Sequence, residues 1–189
     1  MLNSKQVIFK TFGKNKPIRI SYGLVGSRFG DIVLGFLTDS KNAICYLHFA
    51  ESHDKENKNY EVLLQRRWPE ALLNEDVALA KILADKIFSD EAQVLNVIVG
   101  GTPFQENVWK ELINIPSGQT CTYSDIAKRI GKPNAVRAVG TAVGSNEVSI
   151  VIPCHRVVSR NGDVKYGGGK IRKINMLTYE RENSNKIYK

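Results

Sequence analysis

The chain has 189 residues, of which 27 are lysine or arginine and 19 are aspartate or glutamate, so its formal net charge is +8. A hydrophobic content of 42% and a charged content of 24% are ordinary for a globular protein and exclude general disorder. The apolar runs are shorter than the roughly 18–20 residues of a membrane span, and the N-terminus lacks a signal-peptide core, so we expect an intracellular protein, cytoplasmic or nuclear.

The first half of the sequence predicts a small α/β unit. Three β-branched and aromatic segments, which we interpret as the strands of an antiparallel sheet, lie at 18–26, 29–37 and 43–49. The polar stretch 51–59 predicts a loop, and 60–68 predicts a short helix. Asn74 is a candidate N-cap for a longer amphipathic helix, and 94–99 predicts a further strand or an extended connector.

The second half of the sequence begins with a strong helix-start signal. Thr102 can cap this helix, Pro103 suits its first position, and Gln105 completes a capping box. A short helix at 123–130, a turn and a second helix at 135–144 then have the spacing of a helix-turn-helix. The second helix is rich in Ala and Gly, which indicates either close helix packing or entry into a narrow space such as a DNA groove.

The positive charge is concentrated in this second half. Residues 1–99 carry a net charge of +1, and residues 100–189 carry +7. The asymmetry favours a polyanionic partner such as nucleic acid, although a basic surface that serves only solubility fits the composition equally well. Because the change coincides with Gly100-Gly101, we predict an N-terminal domain at 1–99 and a mainly α-helical C-terminal domain at 100–189.

Three cysteines are too few and too scattered for a disulfide framework, so we expect free thiols. Cys45 and Cys121 fit buried apolar positions. Cys45 with His48 and His53 could be drawn as a metal site, but strand alternation and a polar loop explain these residues as well. We therefore expect no metal.

The apolar, strand-like run 150–158 carries the chemistry. This run contains Cys154, which is followed directly by His155 and Arg156. The thiolate is the nucleophilic form of cysteine, and a neighbouring base or cation lowers the thiol pKa. The pattern predicts an activated nucleophile.

Pro153-Cys154-His155-Arg156 resembles the active-site signature of the O6-alkylguanine-DNA alkyltransferases. The resemblance covers about residues 101–182. The other motifs that carry it are Gly101-Thr102-Pro103-Phe104-Gln105, Val108-Trp109, Ile115-Pro116 with Gly118, Thr122-Tyr123, Gly131-Lys132-Pro133, Ala135-Val136-Arg137-Ala138-Val139-Gly140, Asn146 and Tyr166-Gly167-Gly168-Gly169. Residues 1–99 match weakly, and would correspond to the variable, RNase H-like N-terminal domain of the family.

This resemblance implies direct-reversal DNA repair. An alkylated guanine would be flipped out of the duplex, and Cys154 would take the alkyl group from O6, or from O4 of an alkylated thymine. Each chain would react once and inactivate itself. It would need no cofactor, bind no membrane, and work as a monomer on double-stranded DNA.

The resemblance also implies the roles of the catalytic residues. His155 would deprotonate Cys154 through a water molecule, and Glu180 would orient the histidine. Asn146 would hold the two halves of the site together as a hinge residue.

A further set would bind the flipped base and the DNA. Tyr123 would donate toward N3 of the base, and Arg137 would take the vacated place of guanine in the stack. The backbone carbonyls of Cys154 and Val157 would accept from the guanine amino group, and the Gly167 N–H would reach O6. The recognition helix would lie in the minor groove, and its small residues there would include Ala135 and Ala138.

Two other classes of protein remain open. A helix-turn-helix regulator, or a protein that recognises damaged DNA without reacting, would be a binding module. Relatives of the second kind lack the reactive cysteine, and a regulator usually presents polar side chains on its recognition helix. A Cys–His hydrolase is disfavoured because adjacent side chains such as Cys154 and His155 cannot easily meet.

Overall fold

The structure, a computed structural model, is an α/β arrangement of a six-stranded mixed sheet with helices. It describes residues 5–11, 18–50, 59–89, 91, 93–161 and 165–184. In chain order the elements are β1 (Lys5–Thr11), β2 (Arg19–Val25), β3 (Ile32–Leu37), β4 (Ala43–Phe49), α1 (Asn59–Arg67), β5 (Leu72–Glu75), α2 (Val77–Phe88), β6 (Gln93–Val99), α3 (Pro103–Ile113), β7 (Cys121–Thr122), α4 (Tyr123–Arg129), α5 (Val136–Gly144), β8 (Val157–Val158) and α6 (Lys170–Ser184).

The prediction of an antiparallel sheet is wrong, because the sheet is mixed. Its order is β1-β6-β4-β3-β2-β5. Strands β2, β3 and β4 form the expected antiparallel meander, but β1 and β4 pair with β6 in parallel, and β5 pairs with β2 in parallel. Parallel neighbours are joined by long crossovers rather than by hairpins. Sequence-local turn signals therefore could not show these pairs.

Strand β5 also corrects the predicted start of the following helix. Asn74 lies within β5, and the N-cap of α2 is Asp76, whose carboxylate accepts a hydrogen bond from the Leu79 N–H at 2.9 Å. The strand is short and mostly exposed, so it lacks the apolar alternation that marks a half-buried strand.

Other predicted elements are confirmed within one or two residues, among them β4, α1 and β6. The capping box of α3 is present: the Thr102 N–H donates to Gln105 at 2.8 Å, and the Gln105 N–H donates to the Thr102 hydroxyl at 3.3 Å. Within the predicted loop 51–59, residues 51–58 lie outside the described part of the chain, as do 185–189. Helix α6 continues to Ser184.

The sheet has apolar packing on both faces. Successive residues of β3 point to opposite sides. Leu34 belongs to the apolar cluster that contains Leu83 of α2, and Val33 belongs to a second cluster that contains Leu64 of α1. The first cluster continues into the second half of the chain and includes Trp109, whose indole N–H donates to the Ala142 carbonyl at 2.8 Å. Both halves of the chain thus contribute to one core.

No helix within the described ranges is long and apolar enough to cross a membrane.

The segment after α5 is joined to the sheet through its backbone. The Leu47 N–H of β4 donates to the Glu147 carbonyl at 2.8 Å, and the Ser149 N–H donates to the Leu47 carbonyl at 2.9 Å. This join brings the chain that precedes Cys154 against β4.

Candidate active site

The run that leads to Cys154 is buried, but it is a series of turns and not the predicted strand. Ile150 has a φ of 72°, in the left-handed region, and the Val151 N–H donates to the Ser149 carbonyl at 2.8 Å. These features define a γ-turn that is rare and strained for a β-branched residue. The side chain of Ile150 is buried in the core, so packing holds the turn in place.

A second tight turn sets the position of Cys154 itself. Pro153 has φ −81° and ψ 63°, and the Cys154 N–H donates to the Ile152 carbonyl at 2.8 Å, which is an inverse γ-turn. Asn146 closes the loop: its side-chain NH₂ donates to the Ile152 carbonyl at 2.9 Å, and its oxygen accepts from the Val148 N–H at 3.0 Å. One buried side chain therefore fixes both ends of the loop between Val148 and Ile152, and the hinge role of Asn146 stays a prediction.

Cys154 lies at the wall of a cavity of about 620 Å³. Burial raises the pKa of its thiol, and hydrogen bonds from the Asn146 and Ser149 side chains and the charge of Lys173 offset this effect in part. The sequence predicted a pKa lowered by His155 and Arg156. This prediction is wrong in its direction, because the apolar surroundings dominate, and the Arg156 guanidinium is directed at Glu180 instead.

Behind Cys154 lies a buried network centred on Glu180. One carboxylate oxygen of Glu180 lies 2.9 Å from His155 Nε2 and 2.8 Å from Arg156 Nη2, and the other accepts from Arg156 Nε at 3.1 Å. Although burial opposes ionisation, the hydrogen bonds and charges of His155 and Arg156 lower the pKa of Glu180 to about 2. Glu180 is therefore an ionised carboxylate that can orient the imidazole.

The network also selects the tautomer of His155. Burial lowers the pKa of this imidazole, so it is neutral at pH 7. A carboxylate only accepts hydrogen bonds, so Nε2 must carry the proton that it donates to Glu180. Nδ1 is then the basic nitrogen, and it is buried without a hydrogen-bond partner in the described part of the chain. The arrangement leaves one lone pair free to accept a proton.

The cavity brings together several of the predicted base-binding residues. Besides Cys154 and Asn146, its wall includes Tyr123, Arg137 and Gly167. Arg137 is exposed on α5. Burial and the neighbouring Cys154 raise the pKa of the Tyr123 hydroxyl, so this group is a proton donor at neutral pH.

A two-stranded parallel sheet explains how Tyr123 reaches the site. Cys121 pairs with Val157 and Thr122 pairs with Val158, so the start of α4 lies beside the segment that follows Cys154. Thr122 caps α4 through a capping box with Asp125. Because the cap fixes the first turn of α4, it also fixes the position of Tyr123.

Three of the residues predicted to bind the base or the DNA are not part of the described cavity wall. Val157 is buried, and its carbonyl accepts from Lys173 Nζ at 2.6 Å. Ala135 is the half-buried N-cap of α5, and Ala138 is exposed on that helix. Cys45 and Cys121 are buried free thiols, as predicted.

The described residues include no group of three or more His, Cys, Asp or Glu side chains that could hold a metal ion. Of the candidate metal ligands considered in the sequence, His53 lies outside the described ranges, and His48 lines the cavity.

Sequence reasoning did not assign Lys173, Ser149 or His48 to the surroundings of Cys154. The buried residues of α6 are Lys173, Met176 and Glu180, a spacing of three and four that puts them on one helix face. Counting back from Glu180 along that face could have identified Lys173. Ser149 and His48 gave no such signal, because their role depends on how the segment after α5 pairs with β4.

Comparisons with known proteins agree on one family. A family model described as 6-O-methylguanine DNA methyltransferase, DNA binding domain, matches residues 103–182. A probable methylated-DNA–protein-cysteine methyltransferase of Acanthamoeba polyphaga mimivirus is 50% identical over 90 residues, which are 48% of this chain and 60% of that protein. The chain thus spans about three fifths of the length of this viral relative.

Two further matches extend over most of the chain. The methylated-DNA–protein-cysteine methyltransferase of Saccharomyces cerevisiae is 32% identical over 182 residues, which are 96% of this chain and 84% of that protein. The crystal structure of Mycobacterium tuberculosis OGT in complex with DNA superposes with a TM-score of 0.61 at 29% identity, covering 86% of this chain and 93% of that one. With the cysteine, histidine and carboxylate arranged as described, the chain belongs to the methylated-DNA–protein-cysteine methyltransferase family.

Proposed function

We propose that this protein repairs alkylated DNA by moving the alkyl group from O6 of guanine onto Cys154. The observation that carries the proposal is the position of Cys154, at the wall of a cavity and beside the buried His155–Glu180 pair. A cavity of about 620 Å³ has room for a flipped base, and the paired imidazole provides a base for the thiol.

The reaction is an in-line displacement. The thiol proton passes through a water molecule to His155 Nδ1, and Glu180 stabilises the imidazolium that forms. The thiolate then forms a bond to the alkyl carbon, the bond from that carbon to O6 breaks, and its electron pair leaves with guanine. Tyr123 donates toward N3 of the leaving base, and the Gly167 N–H donates to O6.

The departing guanine anion takes up a proton at N1 from solvent, and His155 releases the proton that it accepted. The products are a thioether on Cys154 and an unmodified guanine, and because the thioether is stable each chain reacts once. The carbonyls of Cys154 and Val157 accept from the guanine amino group. The Val157 carbonyl has a second lone pair for this bond beside the one that Lys173 uses. O4-alkylthymine presents the same alkyl–oxygen bond and is a second substrate. The thiol itself is the acceptor, so no cofactor takes part.

The DNA partner is a duplex that carries the alkylated base. In this proposal α4, the turn at 130–135 and α5 form a helix-turn-helix, with Ala135 and Ala138 of α5 against the minor groove. Arg137 is exposed at the cavity and takes the place of the flipped base. The relative from M. tuberculosis with a solved DNA complex supports DNA as the partner. Most of the net positive charge lies after residue 99, so binding weakens as salt rises.

The remaining parts of the proposal concern organisation. Residues 1–99 form an RNase H-like domain that braces the site, and 100–189 form the domain that binds DNA and accepts the alkyl group. The protein acts as a monomer, in the cytoplasm or nucleus where its DNA substrate is found.

A stoichiometry experiment tests the proposal. A duplex oligonucleotide with one O6-methylguanine is mixed with increasing amounts of protein, and the restored guanine is counted after the reaction ends. We expect one restored guanine per chain and none with Cys154→Ser. Tight binding without restoration would indicate a damage-binding module, and many guanines restored per chain would contradict a self-inactivating acceptor.

A further inference from the structure

A cluster of charged and aromatic side chains joins the N-terminal sheet to the loop that carries Cys154. Its centre is Glu147, one carboxylate oxygen of which accepts a hydrogen bond from Arg67 Nε at 3.0 Å, while the other lies 3.2 Å from His48 Nε2 without the alignment of a hydrogen bond. His48 stacks on Tyr46 with ring centroids 4.6 Å apart. The guanidinium of Arg67 lies over the Trp68 ring. Aromatic rings thus hold both partners of the carboxylate in place.

The same segment is fixed to the sheet through its backbone. Leu47 of β4 donates from its N–H to the Glu147 carbonyl and accepts at its carbonyl from the Ser149 N–H. Arg67 also donates to the Gly100 carbonyl at 3.3 Å, at the predicted domain boundary. Residues 147–149 are therefore held by main-chain bonds to β4 on one side and by a side-chain network on the other.

Glu147 sits in the sequence between the two residues whose side chains hydrogen-bond to Cys154. Asn146 precedes it directly, and Ser149 follows two residues later. His48, Asn146 and Ser149 also line the same cavity as Cys154. Any movement of Glu147 away from β4 would displace both donors, because the segment is too short to absorb the change elsewhere.

We propose that Glu147, held by His48 and Arg67, is a positioning residue through which the N-terminal sheet keeps Asn146 and Ser149 in hydrogen-bonding position on the Cys154 sulfur. This gives residues of the first half of the chain a part in the reactivity of the second half. The importance of that reactivity for repair rests on the proposed function. The effect of Glu147 on the Cys154 thiol does not, because it can be measured without DNA.

The direction in which the Cys154 pKa moves in a Glu147 variant distinguishes a positioning role of Glu147 from a direct effect of its charge. Asn146 and Ser149 lower the pKa of Cys154, so losing their positions raises it. Removing the negative charge of Glu147 would, by itself, favour the thiolate and shift the pKa of Cys154 down. The other titratable or charged groups around the thiol are Lys173, His155, Tyr123 and Tyr166, and those facing Glu147 are His48, Arg67 and Cys45. All of these remain in the Glu147 variants.

The experiment follows the rate of Cys154 alkylation by iodoacetamide as a function of pH in the full-length protein, with the modified peptide identified by mass. In Glu147→Ala we expect the midpoint of the pH–rate profile to rise by about half a unit. The rate at pH 7 should then fall about threefold, because the thiolate fraction below the pKa changes tenfold per unit. At high pH, where the thiol is fully ionised, the rate should equal that of the unaltered protein.

The matched control is Asp85→Asn, which removes an exposed ion pair with Lys81 on α2. It should leave the profile unchanged. Glu147→Gln keeps the shape of the side chain, and it replaces the alanine variant in the experiment if that variant fails to fold. We expect Arg67→Ala to shift the profile in the same direction but to add nothing in the Glu147→Ala background, since both act through one network.

An unmoved or downward-shifted midpoint in the folded Glu147 variants would overturn the proposal, even if their thermal stability falls. Additive effects of the two substitutions would also contradict it. Iodoacetamide needs no DNA, so this result is independent of whether the protein repairs O6-methylguanine. A shifted profile in a protein that repairs nothing would leave the positioning intact and reject the proposed function alone.

Discussion

Replacing Glu180 by glutamine tests the buried network behind Cys154 most severely. The substitution keeps the shape of the side chain but removes the negative charge that faces Arg156 and His155. The guanidinium then stays buried without its counter-ion. Breaking a buried ion pair by removing one partner typically costs about 3–5 kcal/mol.

The pKa of Glu180 gives a second measure of how much the buried carboxylate contributes to stability. It falls from an ordinary 4.5 to about 2 in the folded protein. At about 1.4 kcal/mol per unit, the ionised carboxylate contributes about 3 kcal/mol to the free energy of unfolding. Because the folded-state pKa is lowered, this stabilisation is complete above pH 4.5 and is lost as the pH falls toward 2.

The assay is urea unfolding of the protein and of Glu180→Gln at pH 7 and at pH 3. At pH 7 we expect the variant to be about 3 kcal/mol less stable in urea, and a separate thermal scan should show a melting temperature lower by roughly 6–12 °C. At pH 3 the difference should be markedly smaller, since the unaltered protein has by then lost part of this contribution. Glu182→Gln, at an exposed position on the same helix, is the control and should change little.

The reasoning would be refuted by a difference in stability that stays constant between pH 7 and pH 3. Acid also destabilises the protein through His155, whose pKa is lowered by burial, so that protonation below pH 6.5 favours unfolding. Because Glu180 raises the pKa of His155, this acid effect is larger in the variant, and repeating the comparison in a His155→Gln background isolates the contribution of the Glu180–Arg156 pair.

Three further substitutions probe other parts of the site. Arg137→Ala should slow repair in duplex DNA far more than reaction with a free O6-alkylguanine base, whereas equal losses in the two assays would argue against a role in replacing the flipped base. Lys173→Met should move the pH–rate midpoint of Cys154 upward, because the buried cation lowers the pKa of that thiol; iodoacetamide kinetics would show it, and an unchanged midpoint would exclude the effect. Asn146→Ala should lower the free energy of unfolding by about 2–4 kcal/mol in urea, because it leaves the Val148 N–H buried without its partner and removes one of the two hydrogen bonds to the Ile152 carbonyl, and a loss below 1 kcal/mol would mean that water replaces the side chain.

Local signals in the sequence predicted local features well. The capping box of Thr102 and Gln105 depends on residues three apart, so it could be identified without tertiary information. The meander β2-β3-β4 also consists of sequence neighbours. The parallel partners β1, β5 and β6 are distant in sequence, and their pairing depends on the crossovers between them.

The candidate site was predictable in its residues but not in its electrostatics. Cys154, His155 and Glu180 were identified from the motif and its resemblance to a family. The apolar run before Cys154 predicted a strand, but an apolar run indicates burial without specifying the backbone, and the chain makes two γ-turns there. The pKa of Cys154 is raised by burial and lowered in part by Lys173, and only the packed structure reveals these two influences.

The central claim is that the Cys154 sulfur receives the alkyl group. Its most direct test is the intact mass of the protein after incubation with a duplex that contains O6-methylguanine, followed by peptide mapping. We predict a gain of one CH₂ unit per chain, located on Cys154 and absent in Cys154→Ala. A gain on another residue, or an unchanged mass while the methyl group disappears from the DNA, would contradict the account.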